Sequence, residues 1–354
     1  MIVHISMWKN RGGGTSVARL LAKLNGTAGL LLFLESNKES IDREASQIKK
    51  ETGIHFLDFL GSLRFVGTLL KSNSKILLHS HGRRAGWHSR LCRLYYGKRV
   101  LVVHSFHGIA SATGPKKFIS TLSESIFSIF TDTVIADGKA ELELFKRIPR
   151  LSCPSYRIMP AYDINNLILK KITSIRRIGF AARMDKGKLH NELISLIALF
   201  NSKHPHNCLK LILCGDGPNR DNILTFAKNL LGENFEYLGF VRQIANFYEE
   251  IDAYAHFSMY EGLPVSLVEA MACGLPCIAT NVIGCKDALE IPGTGILVPL
   301  GDPQEQLASI ERLVFNFDET VIMAALAKKS AIKRFSPDTF KSLHEIIYKE
   351  IGYL

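Results

Sequence analysis

The 354-residue sequence has no apolar run approaching the roughly eighteen residues a helix needs to cross a bilayer, so no segment is a candidate membrane span. It also lacks the leader pattern of a secreted protein. The strand-like run Met1–Met7 is followed by Lys9 and Arg11, the reverse of the order in a signal peptide. Cysteine is sparse: the seven residues at 92, 153, 208, 214, 273, 277 and 285 are odd in number and include no C-x-x-C pair. They read as reduced core residues, which argues against a disulfide framework and against a zinc site. A cytoplasmic protein without a resident metal is the expectation. Acid is missing altogether from residues 59–123, an interval that holds eleven Lys and Arg.

What is present is an ordinary globular composition, 47% hydrophobic and 22% charged. The length is large for one core and predicts two domains. The net charge of +11 is divided unevenly, because residues 1–170 carry 25 Lys and Arg against 12 Asp and Glu, whereas 171–354 carry 19 against 21. A field of this sign attracts polyanions or an anionic membrane face, at about 1 kcal/mol per basic residue near the surface. A solvated basic face without a partner is the other reading. Nucleic acid is not an expected partner, since the basic stretch lacks aromatics interleaved at a recognisable spacing.

The most informative stretch is Ser258–Thr280. Pro264 suits a helix start, Val265–Cys273 supplies about two and a half turns, Gly274 suits the position just past the end, and Leu275–Thr280 is a β-prone apolar run. Glu261 falls just ahead of this helix, where the backbone N–H groups of Gly262, Leu263, Val265 and Ser266 create positive potential, so an anion such as a diphosphate is expected there. Glu269 lies eight residues further on. A carboxylate binds hydroxyls well, and a diphosphate between two polyhydroxylated rings, as in a nucleotide-sugar, has hydroxyls on both sides. On spacing alone, a capping Glu261 and a solvated Glu269 account for the pair equally well.

The run Glu261-Gly-Leu-Pro-x-Ser-Leu-x-Glu269-Ala-Met-Ala-x-Gly-x-Pro-x-Ile-Ala-Thr resembles the signature of the retaining GT-B glycosyltransferases of family four, the group one transferases. That resemblance implies two Rossmann-like doubly wound parallel-sheet domains facing each other across a cleft. It gives Glu269 the nucleotide ribose, and gives Glu261 with the amides of Gly262, Leu263, Val265 and Ser266 the donor sugar and diphosphate. Arg183 and Lys188 follow the expected strand Ile178–Ala182. Cations at a strand-to-helix turn can clamp a diphosphate or merely be solvated, and the resemblance assigns these two the donor diphosphate. Gly215-Asp216-Gly217-Pro218, after the strand Leu209–Cys214, resembles the family's Gly-x-Gly-Pro on the nucleotide side, and Tyr237–Val241 the loop whose backbone, through Val241, reads the base. One departure stands out. Where the family has Gly-Gly-x-x-Glu after Thr280, this chain has Ile283-Gly284-Cys285-Lys286-Asp287, which puts a donor-sugar contact there in doubt.

In the first half, apolar runs at Ile2–Ile5, Gly29–Leu34, Ile54–Leu57, Ile76–His79, Val100–His104 and Thr133–Ala136 alternate with helix-like segments, predicting a parallel sheet covered on both faces. Ligands of such sheets sit outside the carboxyl ends of the strands. Gly12-Gly13-Gly14 precede a helix expected from about Val17 and either let backbone approach a ligand or simply turn the chain. The resemblance places Gly13 and Gly14 near the donor phosphate. His79, His81 and His104 end strands, where a histidine can exchange a proton with an acceptor or serve the fold. His107-Gly108 matches the family's His-Gly and makes His107 the expected active-site histidine. Phe118–Phe130 reads as an amphipathic helix, either core or, with Lys116 and Lys117, a membrane contact.

The hinge is expected between Asp163 and Ile175, giving an acceptor-binding domain at 1–168, a nucleotide-sugar-binding domain at 169–335 and, from Ser336-Pro337, a last helix at 336–354 that crosses back. The resemblance implies a metal-independent, retaining hexosyltransferase with no cofactor beyond its donor. Its catalytic residues would be His107 and Glu261. It would move a sugar from a UDP- or GDP-linked donor to a glycan or polyprenyl-diphosphate-linked acceptor in cell-surface polysaccharide biosynthesis. The basic 59–123 region would add an anionic membrane surface on the inner face. The competing expectations are a sugar-nucleotide epimerase or phosphorylase on the same fold, and a catalytically silent binding subunit.

Overall fold

The computed structural model describes residues 1–7, 13–25, 29–34, 54–106, 124–147, 153–162, 171–241 and 243–354. Two compact units divide the chain: Met1–Ala161 with Pro337–Leu354, and Tyr162–Ser336.

The first unit is built on a seven-stranded sheet of β1 (Ile2–Met7), β2 (Gly29–Leu34), β3 (Ile54–Leu57), β4 (Ile76–His81), β5 (Val100–Ser105), β6 (Thr133–Ala136) and β7 (Ser155–Arg157). Their order is β3-β2-β1-β4-β5-β6-β7, and every pairing is parallel. A sheet covered on both faces needs apolar side chains on both, so its strands read as continuous apolar runs. Val3, Ile5 and Leu78 pack with Val66 and Leu70 of α2 (Phe59–Ser72) on one face. Ile2, Leu77 and Val103 pack on the other with Val17 and Leu21 of α1 (Gly13–Leu24). α3 (Arg83–Tyr96) and α4 (Lys139–Lys146) complete the crossovers.

The six strands expected in this half are present with boundaries within two residues. β7 was not expected, because three half-buried residues leave no apolar run. Helix α1 begins at Gly13 rather than Val17. The apolar periodicity that signals a helix starts only where there are side chains to carry it, and glycines carry none. Of the helix expected over Phe118–Phe130, residues 124–127 are helical and Ser128–Phe130 form a tighter 3-10 turn, the rest lying outside the described residues.

The second unit carries β8 (Arg177–Ala181), β9 (Lys210–Cys214), β10 (Phe235–Tyr237), β11 (Ala253–His256), β12 (Cys277–Thr280) and β13 (Ile296–Val298) in the order β10-β9-β8-β11-β12-β13, again all parallel. Helices α5 (His190–Lys203), α6 (Arg220–Leu231), α7 (Ile244–Glu250), α8 (Val265–Ala272), α9 (Ile283–Ala288), α10 (Pro303–Phe315) and α11 (Phe317–Phe335) connect and cover them. Ile178, Phe180, Leu211, Leu213, Ala255 and Ile278 form the strand part of its core. From β8 the chain winds first towards β10, then returns to β11 and winds the other way. The order therefore reverses between β8 and β11, the switch point outside which such sheets leave a crevice. The final helix, α12 (Pro337–Glu350), belongs to the first unit and packs Phe340, Ile347 and Tyr348 onto its sheet.

Candidate active site

The loops after β8 and β11 leave neighbouring strands on the same edge and are stitched together by backbone. Met259 N–H donates to Gly187 O (2.9 Å), Leu189 N–H to Phe257 O (3.0 Å), and Lys188 bridges antiparallel to Ser258. Ser258 is fully buried, and its hydroxyl binds Gly187 O and Tyr260 O. The Tyr260 ring lies over Gly187, its hydroxyl 2.7 Å from where a Cβ would stand. This framework fixes where Lys188 and Glu261 emerge, and the two side chains form an ion pair at 21% and 12% exposure.

His256, at the carboxyl end of β11, lies 2.7 Å by Nε2 from the same Glu261 oxygen, Oε1. Burial lowers the pKa of His256, so it stands neutral near pH 7 and donates Nε2–H to the carboxylate. Burial alone would raise the Glu261 carboxyl. The hydrogen bond from His256, together with the positive charge and hydrogen bond of Lys188, reverses that and holds it at about 2, fully ionised. Both bonds fall on Oε1, and among the described residues none reaches Oε2. Glu269 shows the same division. Tyr248 Oη donates to its Oε2 (2.9 Å) as well as to Ser266 O (3.0 Å), while Oε1 takes no hydrogen bond among the described residues. Burial raises the Glu269 pKa against that bond. Each glutamate is thus anchored by one oxygen and keeps the other as an acceptor for a hydroxyl.

Between them lies the start of α8. Pro264 occupies its N-cap and no side chain caps it. Among the described residues the N–H groups of Gly262, Leu263, Val265 and Ser266 donate no hydrogen bond. Four unsatisfied donors, a helix dipole and the Lys188 ammonium make this an anion site. The helix ends with Gly274 at φ +78°. The residue pattern explains this terminus, since only glycine adopts that conformation without strain.

The other sequence candidates divide. Arg183 is 72% exposed on its side chain, with Asp185 as its ion-pair partner at 3.7 Å, and no contact joins it to Glu261. Gly215, at φ +127°, and Gly217 are needed for space: a Cβ at either would strike the backbone of Ala182 or Met184. Gly215 N–H donates to Gly239 O and Gly217 N–H to Asp216 Oδ1, so both amides are satisfied internally. Val241 follows exposed Phe240 in the loop after β10. At the departure after Thr280, Gly284 lies flush against the Gly262 carbonyl, Ile283 is exposed, and Asp287 is buried with its carbonyl accepting from Arg334.

In the first unit, Gly13 and Gly14 form the first turn of α1, and His107 lies outside the described residues. The strand-end histidines are buried within the unit, and the ring nitrogens of His79 and His81 gather with that of His4 within 4.8 Å, close enough to hold a metal ion. His79 binds Tyr348 Oη (2.8 Å) and Ser105 Oγ (2.7 Å), His81 lies 3.3 Å from His4, and His104 binds Ser80 Oγ (2.9 Å), all of them buried. Two residues that orient the glutamates, His256 and Tyr248, went unread in the sequence, as did Tyr254, whose hydroxyl donates to Ser266 Oγ (2.7 Å). The available signal for His256 was a polar residue ending an apolar strand five positions before Glu261.

Residues 169–329 match the family described as glycosyl transferases group 1. The chain is 32% identical over 143 residues to the N-acetyl-alpha-D-glucosaminyl L-malate synthase of Bacillus anthracis, covering 40% of this chain and 38% of that protein. It is 28% identical over 249 residues to the O-antigen biosynthesis glycosyltransferase WbnH of Escherichia coli, covering 69% and 68%. The chain therefore spans well under half the length of the first relative and about two thirds of the second. Among solved structures, Anabaena Alr3699/HepE in complex with UDP superposes with a TM-score of 0.79 over 99% of both chains at 20% identity. The parallel sheet of each unit and the superposition agree on the GT-B fold, and within the second unit residues 169–329 match the glycosyl transferases group 1 family.

Proposed function

We propose that the protein is a retaining glycosyltransferase that moves a sugar from a nucleoside-diphosphate donor to a glycan or lipid-linked acceptor in the synthesis of a cell-surface polysaccharide. The carrying observation is the pair of glutamates, each with one oxygen anchored and one open, on either side of an uncapped helix start, with Lys188 paired to the first of them. The unsatisfied amides and Lys188 meet the two charges of the departing diphosphate, each contributing about 2–4 kcal/mol where they act as preorganised oxyanion donors. Arg183, exposed and close by in sequence, joins them. Glu261 accepts from sugar hydroxyls and Glu269 from the ribose, so the donor is gripped on both sides of the bond that breaks. This charge matching comes from side chains and amides, and the reaction proceeds with no metal. His107 is the residue proposed to face the acceptor. The name of the Escherichia coli relative places that protein in O-antigen biosynthesis, which supports an enzyme working at the inner membrane face.

The test is thermal shift against UDP, GDP and their common sugars, followed by nucleotide release with EDTA present. A donor at a hundred times its dissociation constant stabilises by about 2.7 kcal/mol. Lys188→Ala should abolish that shift. No shift with any nucleotide, or an epimerised free donor without transfer, would sink the reading.

A further inference from the structure

Helix α3 shows an unusual outer face. At 3.6 residues per turn, Arg84, Trp87, Leu91, Leu94 and Tyr95 fall within an arc of about 120°, and all of them are exposed, Tyr95 by 71%. The opposite side of the helix buries Ala85, Ser89 and Cys92 against the sheet, so the apolar stripe is additional to the one the fold uses. The stripe continues onto the neighbouring segment. Buried Arg90 of α3 holds Glu124 through NH2 and Oε2 (2.6 Å) and Thr131 through Nε (2.8 Å), and this clamp sets Ile126 and Ile129 at the surface, 58% and 66% exposed, while Phe127 lies 6.5 Å from the Trp87 ring. The result is one surface bearing two interfacial aromatics and four aliphatic side chains.

Cations bracket it. Arg83 and Arg84 occupy the first turn of α3, where the helix dipole disfavours positive charge, and the first turn contains no acid. Lys98 lies exposed just past the other end. From residue 59 to 106 the chain has no Asp or Glu; buried Glu124, already paired with Arg90, is the carboxylate that also attracts Arg83, and Arg84 has no ion-pair partner among the described residues. Arg84 therefore sits where the helix itself opposes its charge, open to an external anion. Trp and Tyr among aliphatics, rimmed by Arg and Lys, match the headgroup boundary of an anionic bilayer, where apolar side chains enter and basic ones pair with phosphates.

We propose that α3, with the 124–130 segment beside it, is the face by which the first unit docks on an anionic lipid surface. The proposal deepens the reading of the protein as a transferase that uses a lipid-linked acceptor, and it names the surface that would meet the membrane. Docking is measured without donor or acceptor, so its failure is distinct from the failure of transfer.

The experiment is sedimentation of the full chain with vesicles of phosphatidylcholine containing about 30% phosphatidylglycerol, and with pure phosphatidylcholine, at about 50 mM and about 500 mM NaCl. Trp8→Phe leaves Trp87 as the sole tryptophan, so a blue shift of its emission reports insertion of this face directly in an otherwise intact protein. Binding is expected to anionic vesicles at low salt, with that blue shift. Arg83→Glu with Arg84→Glu should weaken it by at least roughly twenty-five-fold, from about fivefold per basic residue. Leu94→Ser with Tyr95→Ser should remove the residue of binding that survives high salt. All four positions are exposed, so thermal midpoints should stay at the wild-type value. No binding at low salt, binding without a Trp87 shift, or equal binding by all variants would overturn the proposal. So would a concentration-dependent dimer lost in the Leu94/Tyr95 variant with vesicle binding absent, which would assign the face to a second copy of the chain.

Discussion

Gly284→Ala adds one methyl group, touches no charge and removes no hydrogen bond, yet it should disable donor binding. Gly284 opens the second half of the first turn of α9, and a Cβ built there lands on the Gly262 carbonyl oxygen and beside the Gly262 and Glu261 carbonyl carbons. The obstacle is backbone, so no rotamer change relieves it. Restoring van der Waals contact requires the two segments to part by about 1 Å or more. α9 is pinned from behind: Cys285, Asp287 and Ala288 are buried, and Arg334 donates to the carbonyls of Asp287 (2.6 Å) and Ala288 (2.8 Å). The Glu261–Gly262 peptide is therefore the part that moves, carrying the carboxylate away from Lys188 and His256. Overpacking of this kind costs about 1–3 kcal/mol, or roughly 3–9 °C in the midpoint of a unit of this size. A displacement near 1 Å costs about a hundredfold in kcat/KM. Gly262→Ala is the control, because a Cβ there meets nothing within 4 Å and its φ is not positive, so stability should hold or rise slightly. Thermal unfolding and donor titration of the two variants decide the matter. A Gly284→Ala protein with wild-type midpoint and wild-type donor affinity would refute the reasoning that this peptide positions Glu261.

Tyr248→Phe removes the donor to both Glu269 Oε2 and Ser266 O, leaving two partly buried acceptors unmet; a loss of about 1–3 kcal/mol in urea unfolding and a raised donor KM with a smaller change in kcat are expected. Arg183→Ala should leave stability within about 0.5 kcal/mol, as its side chain is largely exposed, while weakening nucleoside-diphosphate binding in calorimetry; unchanged binding would remove Arg183 from the site. The first unit should be acid-labile because burial lowers His4 to about 3 and His344 to about 4 and pushes His79 well below its ordinary 6.5. The unfolded chain binds these protons first, so stability is complete above about pH 6.5 and falls as pH drops towards the folded values, by about 2 kcal/mol per histidine at pH 5. Thermal midpoints at pH 7.5, 6 and 5 check the sign, and a midpoint that rises on acidification contradicts it.

The strands were legible because both faces of each sheet are covered, which forces continuous apolar runs such as Ile76–Leu78 and Val100–Val103. The start of α1 was not, because Gly13 and Gly14 carry no periodic signal, and neither was β7, whose three half-buried residues are fixed by pairing with β6. In the site, Glu261 and Glu269 were readable as spaced charges around a helix start, and Lys188 as a cation at a strand-to-helix turn. Their partners were not. His256 and Tyr254 alternate with apolar residues on β11 and are brought to Glu261 and Ser266 by the direction their strand faces, while Tyr248 reaches Glu269 across twenty-one residues from a seven-residue helix. Local spacing reveals groups whose chemistry depends on one element, such as a carboxylate beside free amides. It hides groups whose role is to orient another residue, since that role is set by how two elements pack. The same division explains why Gly284 looked only like a departure from a motif, although its missing side chain is what allows the Glu261–Gly262 peptide to lie where it does.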